Sequence, residues 1–227
     1  MNHIAKQPIR ILVLHQDPLL SAGLTAALRS RPDFEVFEGG EDHATPTADV
    51  VVTDYRRALH LTEETGSSPR GPLAGAKILA LTASAREADI CRAIKAGIHG
   101  YLLIGGPLSE LIDAVQTLVN GGRFMCQSVV ERVAHSMSCV PLTRRENQVL
   151  RLVVAGDSNK TIARRLGIEL GTVKSHMSTI MSKLGASSRV RAVSIATERG
   201  LIDDDDAWSE PLPTLQASSA RVLAAVY

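Results

Sequence analysis

The feature that most narrows what this chain can become is an alternation, through its first half, of short β-branched apolar runs with segments of helical spacing. The runs are Ile9-Arg10-Ile11-Leu12-Val13-Leu14, Val50-Val51-Val52-Thr53, Ile78-Leu79-Ala80-Leu81-Thr82 and Tyr101-Leu102-Leu103-Ile104. Each is nearly all apolar, as a strand covered on both faces of a parallel sheet must be. Another strand is expected near Phe34 to Phe37. Between the runs, Leu108, Leu111, Ile112, Val115 and Val119 follow Pro107, and Leu20, Leu24, Ala27 and Leu28 follow Pro18, each set on one face of a helix. Repeated strand-then-helix order predicts a right-handed parallel sheet of five strands, with function at the carboxyl ends of the strands. The connection before Val50 is close to the minimum for a crossover. Its sequence, Gly39 to Pro46, has little to nucleate a helix and a proline to stop one, so a stunted helix is expected there. Thr65 to Pro72 reads as loop.

A chain of 227 residues has room for two domains, and 44% hydrophobic with 22% charged residues excludes fibres and global disorder. The apolar runs are too short to span a bilayer, and Met1 to Gln7 lacks the basic-then-apolar order of a signal peptide, so a cytoplasmic protein with no membrane partner is expected. Cys91, Cys126 and Cys139 form no C-x-x-C pair and read as inert thiols.

Charge is distributed unevenly. Residues 142–202 hold eleven Lys and Arg against four Asp and Glu, a net +7, whereas residues 203–227 hold one Arg against five acids, a net −4. A compact segment with that excess attracts phosphate backbones, which makes double-stranded DNA the leading partner.

That basic segment is punctuated as four short helices. Thr143 and Glu146 have the spacing of a capping box, Val149, Leu150, Val153 and Val154 follow on one face, and Gly156 ends the helix. Ser158 caps a second helix with Ile162, Ala163 and Leu166, closed by Gly167. A third is predicted from Thr172 to Leu184 and a fourth from Ser188 to Arg199. In the third, Val173, Met177, Ile180, Met181 and Leu184 make one apolar face, leaving Lys174, Ser175, Ser178 and Ser182 on a small, cationic opposite face. Such a face fits a major groove, where lysine and hydroxyl groups reach base edges and phosphates.

The string from Leu142-Thr143-Arg144-Arg145-Glu146 through Asn159-Lys160-Thr161-Ile162-Ala163 to Thr172-Val173-Lys174-Ser175-His176 and Lys183-Leu184-Gly185 resembles the LuxR-type DNA-binding domain. The resemblance implies that Lys174, Ser175 and Ser178 face bases, while Asn159, Lys160, Thr172, His176 and Lys183 lie near the phosphate backbone. It also implies a dimer, for which Val190, Val193, Ile195 and Ala196 are apolar candidates shared with the core. Glu169 stands where the family often has a serine or threonine cap.

The first half resembles the flavodoxin-like receiver domain of response regulators, through Asp54 at the end of its apolar strand and Ala96-Gly97-Ile98-His99-Gly100-Tyr101-Leu102-Leu103. The whole is similar to a NarL/FixJ-type response regulator. By that resemblance Asp54 takes the phosphoacceptor position, Thr82 the switch hydroxyl and Tyr101 the switch aromatic. The acidic pair that holds magnesium with the phosphoacceptor reads His15 and Gln16, Asp17 falls one place late, and the lysine that pairs with the phosphoryl group reads Ile104. With most of the charge stabilisation for phosphoryl transfer missing, the expectation is a degenerate receiver with no magnesium or other cofactor. Asp54 is then either a strand-end cap or a residual switch, and a conventional regulator phosphorylated on Asp54 is the alternative. A lone His15 suggests a structural residue more than a metal ligand, and no nucleophile-base spacing or phosphate loop points to an enzyme. A sensor kinase partner stays open. The expected organisation is a receiver-like domain at 1–121, a linker helix at 122–141, the helix-turn-helix domain at 142–202 and an acidic tail at 203–227.

Overall fold

The computed structural model describes residues 7–39, 47–63 and 73–202. The expected stunted helix beyond Gly39, the loop at 65–72 and the acidic tail lie outside the described residues. Two compact units result, one built on a sheet and one all-helical.

The sheet unit runs β1 (Ile9–Leu14), α1 (Pro18–Arg29), β2 (Phe34–Glu38), β3 (Val50–Thr53), α2 (Tyr55–Glu63), β4 (Lys77–Thr82), α3 (Glu87–Lys95), β5 (Gly100–Leu103), α4 (Leu108–Val119) and β6 (Phe124–Met125). The strands are parallel in the order β2-β1-β3-β4-β5-β6. The apolar runs are buried as their composition requires: Ile11, Leu12 and Val13, and all of Val50, Val51 and Val52, are fully enclosed. Five strands were expected and six are present among the described residues. After α4 the chain turns at Gly121, with φ of +82°, and Phe124 pairs with Gly100 and Met125 with Tyr101. A two-residue strand has too little pattern to announce itself, and what makes it is the free edge of β5.

α1 begins where Asp17 caps it, its Oδ1 accepting from Leu19 N at 2.9 Å and Leu20 N at 3.2 Å, with Pro18 in the first turn. Pro107 stands one position earlier than expected, as the cap residue of α4 rather than within its first turn.

α5 (Gln127–Ser138) is followed by the helical unit: α6 (Arg144–Val154), α7 (Asn159–Leu166), α8 (Leu170–Leu184) and α9 (Arg189–Arg199). Three of these starts have a local cause. Thr143 and Glu146 form the reciprocal capping box, Ser158 Oγ accepts from Thr161 N, and Ser188 Oγ accepts from Arg191 N. α8 starts two residues earlier than its hydroxyl Thr172 suggested, with Glu169 as a cap residue that makes no side-chain cap bond. Gly167, Gly185 and Gly200 end their helices in the left-handed region. The core gathers Val149, Leu150 and Val153 of α6, Ile162 of α7, Val173, Met177, Ile180 and Leu184 of α8, and Ala192 and Ala196 of α9. At about 1.5 to 3 kcal/mol for each large side chain, this burial is what holds four short helices that would be marginal alone.

Candidate functional site

On α8, packing decides which side faces out. Val173, Met177, Ile180 and Leu184 are buried, so Lys174, Ser175, Ser178 and Ser182 are exposed together on the opposite side, with Thr172 exposed near the amino end. His176 is partly buried on the flank. Lys174 has no hydrogen-bond or ion-pair partner among the described residues, so its ammonium is presented to solvent. Lys160 is exposed on α7, and Arg164, one turn later on the same face, is exposed with it. Arg164 had no place in the motif, but its four-residue spacing from Lys160 was readable.

Two residues expected near phosphates are engaged internally. The Asn159 Oδ1 accepts from Arg189 Nη1 at 2.9 Å, and Arg189 Nη2 also donates to Asp157 O at 2.5 Å, so α9 braces the amino end of α7. Lys183 donates through Nζ to Glu146 Oε2 at 2.7 Å and to Pro141 O at 3.1 Å, and its side chain is only 18% exposed. Burial pushes the Glu146 carboxyl up, but the Lys183 ammonium and the Thr143 amide and hydroxyl outweigh it and hold the carboxyl below its ordinary value. Glu146 was legible as a capping residue; its ion pair, across 37 residues, was not. Of the apolar candidates on α9, Ala196 is wholly core, Val193 and Ile195 pack against the core, and Val190 stands out at 78% exposed.

In the sheet unit, the register sets β1 and β3 side by side with Leu14 opposite Thr53, so the residues after both strands meet at the carboxyl edge. Asp54 is buried there. Its Oδ1 accepts from Arg57 N at 3.0 Å, capping the start of α2, and its Oδ2 accepts from Gln16 N at 3.3 Å. His15 Nδ1 accepts from Asp17 N at 3.0 Å, while its Nε2 is buried without a hydrogen bond. The Asp17 carboxylate is spent on capping α1. Thr82, ending β4, accepts Ser84 N on Oγ1 at 3.0 Å, and the enclosed Tyr101 donates its hydroxyl to Ser84 O at 2.9 Å. The Tyr101 ring meets Tyr55 edge-on at 6.2 Å, beside Asp54 in sequence. Asp54, Thr82 and Tyr101 therefore converge on one end of the sheet. Ile104 lies one residue past β5 and lines an apolar groove of about 190 Å³ with Leu20, Leu24, Leu102 and Leu108. Among the described residues, no group of three or more His, Cys, Asp or Glu side chains is placed to hold a metal ion.

Residues 140–196 match the family of bacterial regulatory proteins, luxR family. The chain is 33% identical over 201 residues to the transcriptional regulatory protein DesR of Bacillus subtilis (strain 168), covering 85% of this chain and 98% of that one. It is 32% identical over 198 residues to the response regulator RamR of Streptomyces coelicolor, covering 85% and 97%. The fold is also that of a response regulator RcsB from Salmonella typhimurium, solved in work on conformational dynamism for DNA interaction. That match has a TM-score of 0.67 and 20% identity, covering 83% of this chain and 99% of that one.

Proposed function

Because the chain belongs to the response-regulator transcription factors that carry a luxR-family DNA-binding domain, we propose that it reads a specific duplex sequence through α8, as a homodimer in the cytoplasm, under a receiver-like unit that works without phosphorylation. The observation that carries this reading is the division of α8 into a buried apolar side and an exposed side bearing Lys174, Ser175 and Ser178. A helix anchored by its own core presents short polar groups and one cation at the depth a major groove demands. Thr172 and His176 on the flanks of α8, with Lys160 at the start of α7, form the surround that meets the phosphates, and Asn159 braces that start through Arg189. Exposed Val190 on α9 supports a two-fold pairing of helical units, and hence two related half-sites on one duplex. The working division is a receiver-like domain at 1–121, a linker helix at 122–141, a DNA-binding domain at 142–202 and an acidic tail at 203–227.

The proposal of phosphorylation independence rests on the chemistry at the sheet edge. Magnesium takes near-octahedral oxygen ligands, and the donors present do not fit it: one carboxylate, Asp54, with both oxygens already accepting backbone amides, beside a histidine, a glutamine and an aspartate spent on a cap. Ile104 brings an apolar side chain where a cation would be needed. The alternative, a regulator phosphorylated on Asp54, keeps in its favour the convergence of Asp54, Thr82 and Tyr101.

Gel-shift titration of a duplex selected by the wild-type protein from a random pool tests the DNA reading. Affinity should fall steeply as salt rises. Lys174→Ala should cost about 1 to 3 kcal/mol of binding if the ammonium reads a base. Unchanged affinity in this variant would show that α8 is wrongly oriented.

A further inference from the structure

The carboxyl end of α8 is held by contacts that the DNA-reading surface does not use. Lys183 has three ammonium donors, and two of them are committed to fixed acceptors, Glu146 Oε2 at 2.7 Å and Pro141 O at 3.1 Å. The same carboxylate oxygen accepts Thr143 N at 2.7 Å, so one buried atom joins the cap of α6 to the last turn of α8. For Lys183 to neutralise a phosphate it would have to abandon a carboxylate whose side chain is 7% exposed, leaving a buried charge without its counterion. Lys160 and Lys174, by contrast, give up nothing but water.

We infer that Lys183 is a positioning residue for the reading helix and not a contact to the DNA backbone. Its ammonium fastens the carboxyl end of α8 to α6 and to the entry of the domain at Pro141, which fixes how Lys174, Ser175 and Ser178 are presented. The inference rests on the DNA-binding reading above and deepens it by separating the lysines that face the duplex from the one that holds the helix.

Counterion release distinguishes the two roles, because each phosphate neutralised adds about 0.9 to the slope of log affinity against log salt, and an internally paired lysine adds nothing. The experiment measures that slope for full-length wild type, Lys160→Gln, Lys183→Met and the double variant Glu146→Gln with Lys183→Met, on one labelled duplex selected by the wild type, from about 50 to 200 mM salt. The double variant removes both charges while leaving an amide oxygen to accept Thr143 N, so it remains informative if Lys183→Met alone fails to fold. Lys160→Gln should lower the slope by about 0.9. Lys183→Met should weaken binding with the wild-type slope, and the double variant should recover affinity to within about threefold, less than 1 kcal/mol. A lowered slope in either Lys183 variant, no recovery in the double variant, or unchanged affinity in Lys183→Met would overturn the positioning role. A wild-type protein with no salt-dependent affinity for the duplex would instead refute the DNA-binding reading, and this inference with it.

Discussion

Asp54 is the residue at which the two readings of the receiver-like unit make opposite forecasts. Its side chain accepts two backbone amides, Arg57 N at 3.0 Å and Gln16 N at 3.3 Å. Replacing it by alanine removes a helix cap worth about 1 kcal/mol and strands the longer bond to Gln16, worth about 0.5 to 1 kcal/mol more. The sum, about 1.5 to 2 kcal/mol, should lower the melting temperature by roughly 6 to 8 °C at about 4 °C per kcal/mol for a unit of this size. Asp54→Asn keeps a carbonyl oxygen for the Arg57 amide but turns its NH2 towards Gln16 N, so it should cost only the Gln16 bond, about 0.5 to 1 kcal/mol. Thermal unfolding by circular dichroism measures both. In parallel, wild type and Asp54→Asn are incubated with acetyl phosphate and magnesium, then assayed for phosphoryl incorporation and for affinity to the selected duplex. A capping role predicts no stoichiometric labelling and the same affinity in both proteins, with or without acetyl phosphate. Stoichiometric labelling of wild type that disappears in Asp54→Asn would refute the reasoning, whatever the melting temperatures show.

Ile180→Ala, in the fully enclosed middle of α8, should destabilise the helical unit by about 2 to 5 kcal/mol in denaturant titration and abolish duplex binding near its new midpoint; a loss below 1 kcal/mol would mean the α8 core is not as described. The pKa of His99 is held at about 4, below its ordinary value of 6.5, first by burial and then by the charges of Lys77 and Arg123, while its Nδ1 accepts Ile78 N. The folded state therefore binds fewer protons than the unfolded chain, so this contribution is complete above about pH 6.5 and is lost as pH falls towards 4. After allowance for solvent screening, about 1 to 2 kcal/mol should go, and His99→Gln should flatten that limb of the stability curve. Deleting residues 203–227, net −4, should tighten duplex binding at low salt and leave it unchanged at high salt, because an acidic segment competes with DNA for the +7 domain only while charges are unscreened; equal affinities at low salt would refute that role.

The most legible parts of this protein were those whose cause is local. The capping box of Thr143 and Glu146, the serine caps of α7 and α9 and the terminal glycines could be read residue by residue, since each satisfies amides or carbonyls within one turn. The same holds for the two sides of α8, where burial repeats with the helical period, and for the buried runs of β1, β3 and β4, where cover on both faces makes the whole run apolar. α8 began two residues early because Glu169 occupies the cap position without the side-chain bond a hydroxyl would signal.

Sequence alone thus determined the class of each half, the apolar strands and the side of α8 that faces away from the core, since spacing along the chain dictates which side chains can be buried together. Tertiary structure alone decided which charges remain free to act. It added β6 at an open sheet edge, drew Asn159 to Arg189 and Lys183 to Glu146, and engaged both oxygens of Asp54 with backbone amides. These outcomes depend on groups up to 38 residues apart meeting in space, and the partner an ionic or polar side chain finds is set by proximity in the fold, which no local period records.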